Sequence, residues 1–287
     1  MKLILSRKGF DSGYGGMPSP ILPDGRLLPL PIPAPHDRNT LAEVGSSDID
    51  MGQLLAGLSR GKHSPATRIH LDPDLDRGPA AGPSNWRPAL GQSGNAQSHL
   101  RDMSVGVGDV FIFFGWFRLT EYKAGAWRYA RSAPDLHIMF GWLEVAAVLH
   151  IVTERERCLS SFPGIASHPH VASPDHYTDP RNTLYLGATQ SRFNSSARYG
   201  GGRFASYHEQ LQLTKPGSTR SIWSLPSWFM PKPGRDSLSY HPNSSRWTDE
   251  GECVTLQSAA KGQEFVLDGA AYPPLDGWVS DLVRGHG

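Results

Sequence analysis

The chain has 287 residues, with 38% hydrophobic and 19% charged side chains and 8 Trp, 11 Phe and 9 Tyr. That supply supports a sizeable core and excludes wholesale disorder, while 31 Gly and 24 Pro point to a loop-rich globular protein. A formal net charge of +1 excludes a uniformly basic nucleic-acid coat protein, yet residues 181–246 hold nine basic side chains against two acidic ones, a face suited to an anionic ligand.

In chain order, residues 2–5 read as a short buried strand that runs into a loop with four glycines between Gly9 and Gly16. Such a loop cannot hold a helix and lets backbone approach another group closely. The Pro-rich run 17–37 predicts an extended connection, with Asp24-Gly25 as a tight hairpin turn. A helix is expected over 48–59, capped by Ser47 or Asp48, with Ile49, Leu54, Leu55 and Leu58 facing inward. Residues 76–90 read as loop and 94–103 as a short helix. The clearest β signals are 110–114 and 138–148, rich in Phe, Ile and Val and bounded by Gly or Pro. Further strands are expected at 183–186 and 210–214, loops at 192–206, 216–221 and 231–246, and a terminal helix at 277–284.

This pattern predicts an α+β fold: a mostly antiparallel, twisted sheet or partial barrel with long Pro/Gly-rich loops and few short helices. One domain over 1–287 is expected, with a candidate active-site region at 1–103, a barrel-like β core at 104–215 and a C-terminal extension at 216–287. Leu3-Ile4-Leu5 is too short for a signal-peptide core, and Glu144 and His150 interrupt the longest apolar stretch, so no membrane span is expected. Cys158 and Cys253 lack CxxC spacing, which favours the reducing cytoplasm over a disulfide framework.

Several polar constellations could carry chemistry. In an extended segment, alternate residues of His70-Leu71-Asp72-Pro73-Asp74 share one side. His70, Asp72 and Asp74 would then form an acid–base pair or the shell of a divalent metal ion; a solvated turn is the plainer alternative. The glycine loop could cradle a phosphate on the amides around Gly15 and Gly16, with Arg7 and Lys8 supplying charge and Asp11 a base. It fits neither phosphate-loop nor dinucleotide fingerprints. Gln92 and Gln97 carry amides of the kind that read base edges, and His99 could join His70 as ligand or proton carrier. His168-Pro169-His170, followed by Asp175 and His176, lies in a Pro-rich stretch and reads more readily as exposed loop than as a metal site.

The stretch GDVFIFFGWF followed by HIMFGWLEV resembles the PUA-like and EVE-like small barrels, and the resemblance implies an RNA- or modified-base-binding core with an aromatic pocket around Trp116 and Trp142. Over most of its length the chain also resembles the third type of nucleotide-modification-associated domain, found in bacteria and phages. The matching stretches include SRKGFDSGYGGMPSPILPDGRLLPLPIP, HLDPDL, GQSGNAQSHL, VGVGDVFIFFGWF, HPH, NTLYLGA, SLPSWF and GQEFV. That resemblance implies a role in making or handling modified nucleotides or DNA bases and assigns no catalytic residues. The residues themselves favour an enzyme acting on a nucleotide or base, which the resemblance implies is nucleotide or DNA-base modification, and leave open a non-catalytic reader of modified nucleic acid.

Overall fold

The computed structural model describes residues 1–45, 47–77, 85–176 and 178–287. Its centre is a mixed sheet in the order β12-β1-β4-β6-β7-β3. These strands are β1 (Lys2–Arg7), β3 (Ala89–Gln92), β4 (Val110–Lys123), β6 (Leu136–His150), β7 (Thr183–Gly187) and β12 (Glu264–Asp268). Three short strands join off this path: β2 (Ser19–Ile21) and β5 (Ala126–Tyr129) pair with β4, and β8 (Gly201–Arg203) pairs with β6. Pairing is antiparallel except where β1 and β2 meet β4. The path ends at β12 and β3 without rejoining, so the sheet is open and not a closed barrel.

The apolar run Leu3-Ile4-Leu5 explains why β1 sits inside the sheet. A strand flanked on both edges and covered on both faces needs a continuous apolar core instead of alternation, and these three side chains are fully buried. They pair with Val110, Phe111 and Ile112 on one side and with Leu267, Val266 and Phe265 on the other. The resulting apolar cluster runs from Leu3 to Val283 and takes in β9 (Ile222–Pro226), β10 (Trp247–Asp249) and β11 (Cys253–Gln257), which form a separate three-stranded sheet.

The helices are short. In α1 (Met51–Ser59), Asp50 accepts a hydrogen bond from the Gln53 amide, so the cap lies two or three residues later than the Asp48 or Ser47 that the sequence suggests. Helix α2 covers Gly94–Asp102, and α3 (Ile151–Ser161) continues directly from β6, where sequence reading saw only the end of an apolar run. Pro169–Ala172 forms the single turn α4, and α5 (Leu275–His286) buries Leu275, Val279, Leu282 and Val283 at helical spacing. The strand expected at 210–214 is instead a 3-10 turn over Glu209–Leu211, with Gln212 and Thr214 making only isolated bridges. The expected loop 192–206 contains β8. Part of the expected loop 76–90, residues 78–84, lies outside the described residues; β3 begins at Ala89.

Candidate functional site

The ends of β1, β3 and β12 deliver Lys8, Gly91, Gln92 and Glu264 to one place, and two loops plus the helical turns after α3 close over it. Asp72 is the hub. Its Oδ1 accepts the Gly91 N–H at 2.6 Å and lies 3.3 Å from His168 Nε2, while Oδ2 lies 3.8 Å from Lys8 Nζ. Lys8 also stands 3.3 Å from Glu264 Oε1. Burial works to raise the Asp72 pKa, but His168, Lys8 and His170 outweigh it and hold the carboxyl well below its usual range. A small cavity of about 40 Å³, bounded by Gly9, Leu30, Asp72 and Phe140, leaves room for a water molecule beside it.

Three further imidazoles adjoin this hub. Ligand-capable nitrogens of His70, His170 and His176 lie within 4.8 Å of one another, the side chains best placed to hold a metal ion among the described residues. His70 Nδ1 meets Asp37 Oδ2 at 2.6 Å, and His170 Nδ1 meets Asn182 Oδ1 at 2.7 Å. The Asn182 amide is oriented by its own Nδ2, which donates to the His170 carbonyl at 2.9 Å. Its oxygen therefore faces His170, so Nδ1 carries the proton and Nε2 the lone pair. Burial pushes His170 well below the ordinary imidazole range. Burial, followed by the neighbouring His70, also lowers His176. For Asp37, burial opposes ionisation, but the hydrogen bond from His70 wins and the carboxyl sits below its ordinary value.

Gly91 makes this packing achievable. A Cβ there would fall 2.1 Å from His170 Cδ2 and 2.2 Å from Cγ. The glycine of GQSG thus serves the histidine of HPH, and its amide serves Asp72.

Of the residues singled out in the sequence, Lys8, His70 and Asp72 come together here. Gln92 is present too, but its amide is committed: Nε2 donates to Glu264 at 2.6 Å and Oε1 accepts from the Ser93 amide. Asp74 is turned elsewhere, binding Arg77 at 2.7 Å and the Trp86 indole at 3.1 Å. The expected trio of His70, Asp72 and Asp74 does not form because 70–74 is not a regular strand: the Asp72 amide donates to the His70 carbonyl, which turns the chain locally. The convergent trio instead takes His170 and His176 as partners of His70.

His99 bonds Ser239 Oγ at 2.9 Å, and the Tyr185 hydroxyl donates to Gln97 Oε1 at 3.1 Å. The glycine loop folds on itself. Asp11 Oδ1 accepts from the Gly13 and Tyr14 amides, the Gly16 amide donates to the Asp11 carbonyl, and the Gly15 carbonyl meets His63 Nε2 at 2.8 Å. Arg7 donates to the Gly262 carbonyl at 2.7 Å. Trp142 is 1% exposed within the core, and Arg220 lies 4.3 Å over the Trp116 ring, so these two indoles form no shared open pocket. A cavity of about 880 Å³ between Leu136, Met139, Leu213, Leu225, Trp278 and Leu282 shares no residue with the histidine cluster.

Sequence reading underrated His168 and His170. Both are buried, because Pro169 occupies the first position of α4 and His168 Nδ1 accepts the His170 amide as its cap. A histidine followed by proline can start a helix turn, and that signal was available. Asp37, Asn182 and Glu264 carried no such local sign.

The fold and site define an α+β protein with a buried histidine–carboxylate centre at one end of an open sheet. The family described as nucleotide modification associated domain 3 matches residues 2–268, and the chain belongs to that family. No curated protein and no solved structure matches it. The family ties the chain to nucleotide modification. No helix among the described residues is long and apolar enough to cross a membrane.

Proposed function

We propose that this protein is an enzyme that modifies a nucleotide or a DNA base at the centre formed by His70, Asp72, His168 and His170, with Lys8 beside them. One observation carries the reading: separate chain segments bring Lys8, Asp37, His70, Asp72, His168, His170 and Glu264 into one largely hidden cluster. Burying ionisable groups is costly unless they are paired, and buried groups displaced from their ordinary pKa, as Asp37, Asp72 and His170 are, cluster at functional sites. An ionised Asp72 beside His168 forms a proton-transfer pair. Lys8 stands between the Asp72 and Glu264 carboxylates, and its charge favours the ionised form of Asp72. Cys158 and Cys253 are free thiols, in keeping with work in the reducing cytoplasm.

The test is a mass-spectrometric comparison of DNA nucleosides and free nucleotides from cells with and without the protein, alongside His70→Gln and Asp72→Asn variants. A nucleoside species that appears with the wild type and disappears with both folded variants supports the reading. Unchanged nucleosides, together with salt-sensitive binding of the wild type to modified oligonucleotides, would replace it with the reader function.

A further inference from the structure

The geometry points to a resident divalent transition-metal ion held by His70, His170 and His176. The assignment deepens the reading above, on which its catalytic meaning rests, but metal binding itself is measured without reference to any reaction.

Three features carry it. First, the trio presents nitrogens rather than an acidic patch. Imidazole suits zinc, iron, copper and nickel, whereas magnesium and calcium prefer oxygen. Second, two of the three rings are oriented from behind. Asp37 binds Nδ1 of His70 and Asn182 binds Nδ1 of His170. A carboxylate or carbonyl on the far nitrogen is the usual support of a metal-binding histidine, since it fixes the tautomer and aims the other nitrogen at the ion. Third, neither the Nε2 atoms of these two rings nor the ring of His176 makes a hydrogen bond among the described residues. His176 ends the 3-10 turn Pro174–His176, which is pinned from the rim by His36 Nδ1 on Asp175 Oδ2 at 2.8 Å. Its ring stacks on that of His170, with centroids 4.1 Å and planes 13° apart, and lies 5.0 Å from that of His70; turning His176 out of this stack is the movement that brings the three nitrogens onto one ion.

Three protein nitrogens leave coordination positions open, the pattern of catalytic and not of structural zinc. Such an ion supplies a water of lowered pKa or polarises a substrate oxygen or nitrogen. Asp72 and His168, next to the trio but outside it, are placed to move the proton.

The experiment uses the purified full chain, stripped with a chelator and reloaded with zinc or cobalt(II). Elemental mass spectrometry gives the stoichiometry, and the cobalt visible spectrum reports nitrogen ligation. The expected result is one tightly bound ion per chain. Asp37→Asn should weaken binding about 10–100-fold, and His176→Ala by more than that. The partly exposed His208–His286 pair, 4.7 Å apart, is the plausible adventitious binder, so His208→Ala should leave the tight site unchanged. Circular dichroism checks that each variant folds; His176, in a short surface turn, is the substitution the fold should tolerate best. Folded wild type without stoichiometric metal, or tight binding retained in His176→Ala, overturns the proposal. Tight metal with no altered nucleoside overturns the enzymatic reading alone; an altered nucleoside without metal overturns this one alone.

Discussion

His137 and His170 are both almost fully buried, and burial pushes both rings well below the ordinary imidazole range. Their surroundings differ. The Trp223 indole donates to His137 Nδ1 at 3.0 Å, and Phe114 and Trp223 pack edge-on to the ring. His170 is supported at Nδ1 by Asn182 and stands among His70, His168 and His176, with its other nitrogen free. Burial keeps both imidazoles neutral; where the lone pair points decides what each can do. His137 spends its own on the Trp223 N–H, whereas that of His170 is left free beside the nitrogens of His70 and His176.

The sharpest break between the two regions should come from Trp223→Ala. Trp223 is fully buried beside His137, and its removal should cost about 3–5 kcal/mol in denaturant unfolding. The variant that remains folded should still bind metal. Gly91→Ala tests the other region. Its Cβ would strike the His170 ring, so a loss of about 1–3 kcal/mol is expected, accompanied by loss of the tight metal. Unimpaired metal binding in this variant would show that His170 has room to spare. Asp37→Asn comes next: affinity for the ion should fall about 10–100-fold, or about 1.4–2.7 kcal/mol, and the metal-free protein should lose about 1–3 kcal/mol of unfolding stability with the charge-assisted bond to His70.

The smallest effect concerns pH. Because the folded-state pKa of His137 is depressed by burial, with Arg220 and Arg7 adding to it, the unfolded chain binds more protons below about pH 6.5. Its contribution to stability is therefore present above that pH and lost as pH falls further. His137→Gln should flatten the acid side of the stability curve relative to wild type, with His241, also lowered by burial, accounting for part of the remaining slope. Parallel curves for the two proteins would remove His137 from the account.

Much of the sheet was legible because its strands are written in local patterns. Leu3-Ile4-Leu5, Val110 to Phe114 and Ile138 to Val148 are apolar runs between turn formers, and each lies within a strand. The 210–214 segment misled because its pattern suits a strand but it makes no continuous ladder; Gln212 bridges Ile138 of β6 and Thr214 bridges Trp223 of β9, one residue each. At the site, Lys8, His70 and Asp72 could be picked out by type and spacing, and they do meet. What could not be read was the company they keep. Asp37 reaches His70 across 33 residues and Gln92 reaches Glu264 across 172, separations that no local periodicity records. Nor does spacing reveal that an absent side chain, at Gly91, is what admits His170.

The pairing of β1 with β12 joins Lys2–Ser6 to Glu264–Asp268, strands far apart in the sequence. During synthesis, β1 precedes Glu264 to Asp268 and its pairing on that edge waits until they have been made. Lys8 waits with it, since Glu264 arrives on that last strand. The proposed centre therefore lacks its Lys8–Glu264 pair until the sheet is complete, so the site and the sheet should be finished together.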